Sequence, residues 1–386
     1  MFHQRLVLTM RSLITVTFLG LLLFLGMASP ACADGSTPGW RQSNTSGFGE
    51  PKNSRISSLG VFGDRLYAGT ASDNGVPAQV WLTSDGQGWS QFTPSWSADT
   101  IAVFDAAPFG GRLYVGTARQ TGGEIWRTDG ATWQRVGVSG LGDVNNYSMA
   151  ALVVFGGKLY AATGNIVTGV EIWRSSTGDP GSWQQVNTDG FGHGATWENV
   201  TLDVFGGYLY AGVSRRGGRA ELWRSANGTA WTSPVFTDGL GDPNNSDVAA
   251  MAEFHGKFYI GMRNTTTGGQ VWRSSNGMSF SPVFTDGLGK KANRATYGLF
   301  VFEDTLYLMF NNFSGAEVWR TADGVTWQPV MQGGWGKGGA NAWADYFDKA
   351  AATFHGSLYI GTENDTDGGE IWQMLRRSYL PLAQRR

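Results

Sequence analysis

The stretch VFGGKLYAATGNIVTGVEIWRSSTGDPGSWQQVNTDGFG, residues 154–192, decides how the rest of the chain is read. Gly156-Gly157 supplies a tight reversal, since glycine takes positive φ without the steric penalty of a Cβ. The apolar run 150–155 ahead of it suits a strand buried on both faces. Leu159-Tyr160 opens a second strand after the turn, and Glu171-Ile172-Trp173 marks a third. A further glycine turn leads to Trp183 and a fourth. One unit is therefore a four-stranded antiparallel sheet, with strands A to D in chain order.

The unit recurs along the chain. The tyrosines that follow the first turn are Tyr67, Tyr114, Tyr160, Tyr210, Tyr259, Tyr307 and Tyr359, at steps of 46 to 52 residues. The third-strand tryptophans are Trp81, Trp126, Trp173, Trp223, Trp272, Trp319 and Trp372. The fourth-strand aromatics number one fewer: Trp89, Trp133, Trp183, Trp231, Phe280 and Trp327. The missing one stands at the other end of the chain. Trp40 to Gly49 (WRQSNTSGFG) matches Trp183 to Gly192 (WQQVNTDGFG), so the N-terminal segment supplies the outer strand of the last unit. Pairing first and last segments closes a ring and removes two sheet edges that would otherwise template aggregation. An open solenoid would need polar caps instead. The expectation is all-β: a seven-bladed β-propeller of four-stranded antiparallel blades, closed by the N-terminal strand joining the C-terminal blade.

A hydrophobic run, a Gly-Gly turn, Leu-Tyr, a variable loop and a later Trp, at about 50 residues, resemble the kelch propeller repeat. The turn between third and fourth strands, Thr321-Ala322-Asp323-Gly324-Val325-Thr326-Trp327 and likewise Thr83 to Trp89, resembles a shortened Asp-box. The chain departs from kelch in carrying Gly-Thr where a second glycine pair is usual (Gly69-Thr70, Gly116-Thr117, Gly361-Thr362). It is one residue short of the usual Asp-box. The resemblance spans roughly residues 36 to 375. It implies propeller architecture and no particular activity, since such repeats serve enzymes, lectins and scaffolds alike.

The N-terminus reads as an address. Arg5 and Arg11 precede the apolar run Leu13–Met27, and Ala31-Cys32-Ala33 offers small residues before Asp34. That run is short for a membrane span, so residues 1–33 are expected to be a removed signal peptide. A single propeller over 36–375 and a tail at 376–386 would follow, in a secreted or cell-surface protein with no membrane insertion. Cys32 is the only cysteine, so the mature chain would rely on its core and not on disulfides. Net charge of −2 and a pI near 6.1 give no basic footprint for nucleic acid. A monomer is expected.

Side chains repeated in every unit are expected to hold the scaffold. These are Asp85, Asp129, Asn227, Asn276 and Asp323 in the C–D turns, and Glu124, Glu171, Glu221, Glu317 and Glu370 in the third strands. The B–C loops and D–A links share the other face, where units differ and ligands commonly bind. The candidate contacts there are Arg119, Trp197, Glu198, Arg215, Arg216, Arg263, Asn312, Trp343, Asp345 and Tyr346. Arginines among aromatics suit an anionic or sugar-like partner through bidentate hydrogen bonds and stacking. No nucleophile elbow, phosphate loop or zincin motif occurs, and His193, His255 and His355 are scattered. No catalytic residue, metal or cofactor is therefore assigned. The expected function is a non-catalytic binding or scaffold module for a glycan or an extracellular or surface protein. The alternative is a secreted glycoside hydrolase or polysaccharide lyase using Glu198 or Asp345 at the same mouth.

Overall fold

The computed structural model describes residues 39–375, apart from 73–74, 216–217, 232–233 and 345–348, and apart from the side chains of 197–199. The described residues all belong to one compact unit, Ser36–Arg386.

Antiparallel strands follow one another in a fixed order. Arg55–Phe62 pairs with Arg65–Ala71, which pairs with Val80–Thr83, which pairs with Ser90–Gln91. The same order runs through Ser148–Phe155, Lys158–Gly164, Ile172–Ser175 and Gln184–Gln185. It runs again through Ala295–Phe302, Thr305–Asn311, Glu317–Thr321 and Gln328–Met331. At the C-terminal end, Ser357–Glu363 pairs with Ile371–Met374, whose outer partner is Trp40–Gln42 with Arg41 opposite Gln373. The first and last segments thus share one sheet. Arg55 also lies opposite Glu363, so the first repeat sits against the last.

Each sheet is too narrow to bury both faces alone, and the core forms between successive repeats. One apolar cluster joins Tyr160 and Ile172 of one repeat to Leu202, Leu209 and Trp223 of the next. The closing sheet packs the same way. Trp40 meets Trp335 edge-on at 5.5 Å, and Trp335 stacks on Trp372 at 5.5 Å. A second seam device is the repeated tyrosine. The Tyr160 hydroxyl lies beneath Gly228 of the following repeat, and Tyr210 beneath Gly277, where its hydroxyl donates to the glycine carbonyl at 3.1 Å. A Cβ at either glycine would fall on the hydroxyl, and both have positive φ (73° and 66°).

The expected turn chemistry is present. In the C–D turns the Asp323 carboxylate accepts the backbone N–H groups of Val325 and Thr326 at 2.8 and 2.7 Å. Asn227 does the same for Thr229 and Ala230. At the A–B turns, His255 and His355 adopt positive φ (50° and 45°) and stack on Phe254 and Phe354. Each reaches an aspartate in the next repeat's turn: His255 to Asp304 at 2.8 Å, His355 to Asp64 at 2.7 Å.

Candidate functional site

The face carrying the B–C loops is built on a polar network that runs from repeat to repeat. Each third strand places a Glu or Gln two residues before its tryptophan, and the indole N–H donates to it. The pairs are Gln79–Trp81, Glu124–Trp126, Glu171–Trp173, Glu221–Trp223, Gln270–Trp272, Glu317–Trp319 and Glu370–Trp372, at 2.8 to 3.0 Å. An asparagine from the D–A link donates to the same oxygen: Asn146 to Glu171, Asn293 to Glu317 and Asn341 to Glu370. That asparagine also donates to the carbonyl of a preceding glycine, as Asn146 does to Gly140 at 2.9 Å. The next residue, Leu141, has φ of 53°, a strained value for a branched side chain. The asparagine holds this turn in place. A second asparagine, from the B–C loop, then donates to the first.

Three of the candidate contacts belong to this network. Asn312 is buried, donates to Asn293 at 2.8 Å, and accepts the Ser314 N–H at 2.9 Å. Arg119 bonds Glu124 at 2.5 Å and Asp99 at 3.0 Å. The Ser97 hydroxyl and Arg119 together hold the Asp99 carboxyl down at about 2. Arg215 bonds Glu221 at 2.6 Å and donates to the His193 carbonyl at 2.7 Å. Burial pushes Glu221 upward, but Arg215, Trp223 and His193 bond to it and leave it below the usual carboxylate range. Lys290 and Lys337 form ion pairs with Glu317 and Glu370 at 2.7 and 3.6 Å. Glu171 differs. Burial raises its pKa, Asp189 and Asp143 raise it further, and Asn146 and Trp173 only partly offset them.

Arg263, Trp343 and their surroundings lie together at the seams of the fifth, sixth and seventh repeats. Arg263 is 3.4 Å from the buried carboxylate of Asp247, with its side chain 40% exposed. Trp343 stacks on the buried Tyr297 ring at 5.0 Å and 19°. Phe313 is 6.4 Å from Trp343 and tilted by 52°, and it is 56% exposed. The Arg294 guanidinium lies over the Phe313 ring, 4.7 Å from its centroid. Sequence reasoning passed over Arg294 and Tyr297, although the register offered a signal. Ala295 and Asp247 both lie opposite Arg263, which puts Arg294 where the fifth repeat has Ser246 and Tyr297 where it has Ala249. Arg216, Asp345 and Tyr346 lie outside the described residues, as do the side chains of Trp197 and Glu198.

A second polar group lies at the centre of the ring. Lys349 reaches Asp105 at 3.4 Å although a whole repeat separates their strands, and Asp105 accepts the Leu152 N–H at 2.7 Å. Burial pushes the neighbouring Asp203 carboxyl up to about 6, against the pull of the Val204 N–H and the Lys349 ammonium. Asp203 retains some accessible surface even so.

Two clefts open on the outer strands, away from these groups. One of about 440 Å³ is lined by Arg174, Gln184, Asn187 and Trp231, and one of about 290 Å³ by Tyr208, Arg224, Pro234 and Met278. Among the described residues, no group of three or more His, Cys, Asp or Glu side chains is placed to hold a metal ion. Nor is any helix among them long and apolar enough to cross a membrane.

No protein-family model matches the chain, and no curated protein matches it. Solved structures do. The β-propeller domain of the Trilobed protease from Pyrococcus furiosus is 8% identical, with a TM-score of 0.50 over 83% of this chain and 94% of its own. PorZ, a surface component of the type-IX secretion system of Porphyromonas gingivalis, is 15% identical with a TM-score of 0.56. The GH74 xyloglucanase from Xanthomonas campestris is 17% identical with a TM-score of 0.52. These matches cover 86% and 85% of this chain but only 48% and 54% of PorZ and the xyloglucanase. The chain is a β-propeller. At such identities the likeness extends to the fold alone, and the set includes both hydrolases and surface components.

Proposed function

We propose that this protein is an exported, seven-bladed propeller of four-stranded blades, kelch-like and Asp-box-like in its repeats, that acts as a non-catalytic binding module. Residues 1–33 would be the removed signal, 36–375 the propeller, and 376–386 a tail. The partner is a glycan or a surface protein, met by the face of B–C loops and D–A links. One observation carries this reading. Most of the repeated carboxylates on that face are taken up by tryptophan, asparagine and basic partners, whereas Phe313 and Arg294 stand out from the network with exposed aromatic surface. An exposed ring with a cation over it offers a ligand both stacking and charge-assisted contacts.

Residues 34–386 should be applied to glycan and polysaccharide panels and to intact cell surfaces, with binding and product release followed together. Retention without product release is the expected result. Release of shortened saccharide would overturn the non-catalytic reading, and absence of binding to every glycan and cell surface would overturn the module itself.

A further inference from the structure

Arg294, Phe313 and Trp343 form a small composite surface that the repeat does not require. The guanidinium lies over the Phe313 ring, 4.7 Å from its centroid. It has no carboxylate partner among the described residues, whereas Arg55, Arg119, Arg215 and Arg263 each have one. Its backbone is fixed too, for its N–H donates to Asn311 and its carbonyl accepts the Asn264 N–H, both at 2.9 Å. Phe313 is anchored by Asn312, the buried member of the asparagine network just before it. Trp343 is held by its stack on Tyr297. The result is an exposed ring with a cation over it and a second ring 6.4 Å away, tilted by 52°.

We propose that this surface is a subsite for a uronic acid residue of an acidic polysaccharide. The proposal rests on the binding-module reading above and gives it a ligand class. The apolar C–H face of a pyranose ring lies on the exposed surface of Phe313. Its C6 carboxylate takes two parallel N–H bonds from Arg294, the geometry that guanidinium and carboxylate share. Phosphate polymers fit less well, because Arg119, Arg215 and Arg263 already carry carboxylate partners and the chain as a whole has a net charge of −2. Contact with the Phe313 ring restricts the guanidinium before ligand arrives, which lowers the ordering cost of binding.

The test uses residues 34–386 with oligogalacturonate, oligomannuronate and hyaluronan fragments, each beside its methyl ester, and with neutral cello- and xylo-oligosaccharides. The free acid of at least one is expected to bind about tenfold or more tightly than its ester, since charge-assisted bonds are about twice as strong as neutral ones. Arg294→Ala should abolish that preference, and Arg294→Lys should restore it only in part. Phe313→Ala should weaken acid and ester alike by about tenfold. Unchanged melting temperatures would show that all three variants are folded. Equal binding of acid and ester, or a preference that survives in Arg294→Ala, overturns the subsite and leaves the module standing. Binding only to neutral saccharides overturns the uronate assignment alone. Failure of every saccharide overturns both the subsite and the glycan form of the module.

Discussion

Replacing Asp203 by Asn should make the protein more stable at neutral pH, and the gain should vanish in acid. Burial raises the Asp203 carboxyl from its ordinary 3.8 to about 6, so the native state binds more protons than the unfolded chain between those values. Stability therefore falls as pH rises through that window, and the penalty is complete above about pH 6. Below about pH 4 both states are protonated and no penalty remains. A difference of about 2 pH units corresponds to about 3 kcal/mol. The residual accessible surface of Asp203 makes that a ceiling, and about 1–3 kcal/mol is the expected gain. Asn keeps the side-chain oxygen that accepts the Val204 N–H at 2.7 Å, so the local geometry survives. Urea unfolding of both proteins at pH 7.5, 5 and 3.5 measures the effect, with m-values compared to confirm equal exposure. An equal gain at pH 3.5 and 7.5 would show that packing and not ionisation is responsible. No gain at pH 7.5 would refute the assignment of a buried, costly charge at the ring centre.

Glu171→Gln should leave stability unchanged or raised at pH 7, since Gln79 and Gln270 already fill this position and Glu171 faces acidic neighbours; Glu370→Gln should lose about 1 kcal/mol by giving up the half-exposed Lys337. Denaturant midpoints of the two variants, taken side by side, check this. Gly228→Ala should cost about 2–3 kcal/mol, because the Cβ meets the Tyr160 hydroxyl and φ is positive, and combining it with Tyr160→Phe should recover part of the loss. Calorimetric melting of the single and double variants decides it. Trp40→Ala should cost about 3–5 kcal/mol by opening the Trp335–Trp372 stack in the closing sheet. Unaffected thermal unfolding would mean that the N-terminal strand does not hold the ring shut.

Much of the architecture was legible because propeller sheets leave few solutions for a tyrosine, a tryptophan and a glycine turn at a steady spacing. The closing strand was readable from Trp40–Gly49 alone, since a lone outer-strand sequence has no use except in a sheet that lacks one. The D–A asparagines were not. Asn146 and Asn341 look like ordinary loop residues, and only the three-dimensional path shows them donating to a strained glycine turn and to a buried glutamate at once. Arg119 and Arg215 looked available for a ligand for the same reason. Their carboxylate partners Glu124 and Glu221 come from a neighbouring strand of the same sheet, and from the sequence alone that pairing is indistinguishable from an open rim.

The repeat also supplies its own controls for where function resides. Where the third-strand residue is Glu221, Glu317 or Glu370, the preceding link offers His193, Lys290 or Lys337; where it is Gln270, the link offers Asp242, which accepts the amide at 3.0 Å. Charge is thus matched locally in these repeats, as selection for stability alone would produce, whereas Glu171 has Asp143 and Asp189 for neighbours. Positions that break the match without a structural gain call for another explanation. Asp203 puts a costly carboxyl where other repeats place Ala107, Ala252 and Ala352 before the same phenylalanine. Arg294 and Phe313 add a cation with no carboxylate partner among the described residues and an exposed ring where the fifth repeat has Ser246 and Thr265. Neither departure is required by the repeat, and the subsite proposed above would account for the second.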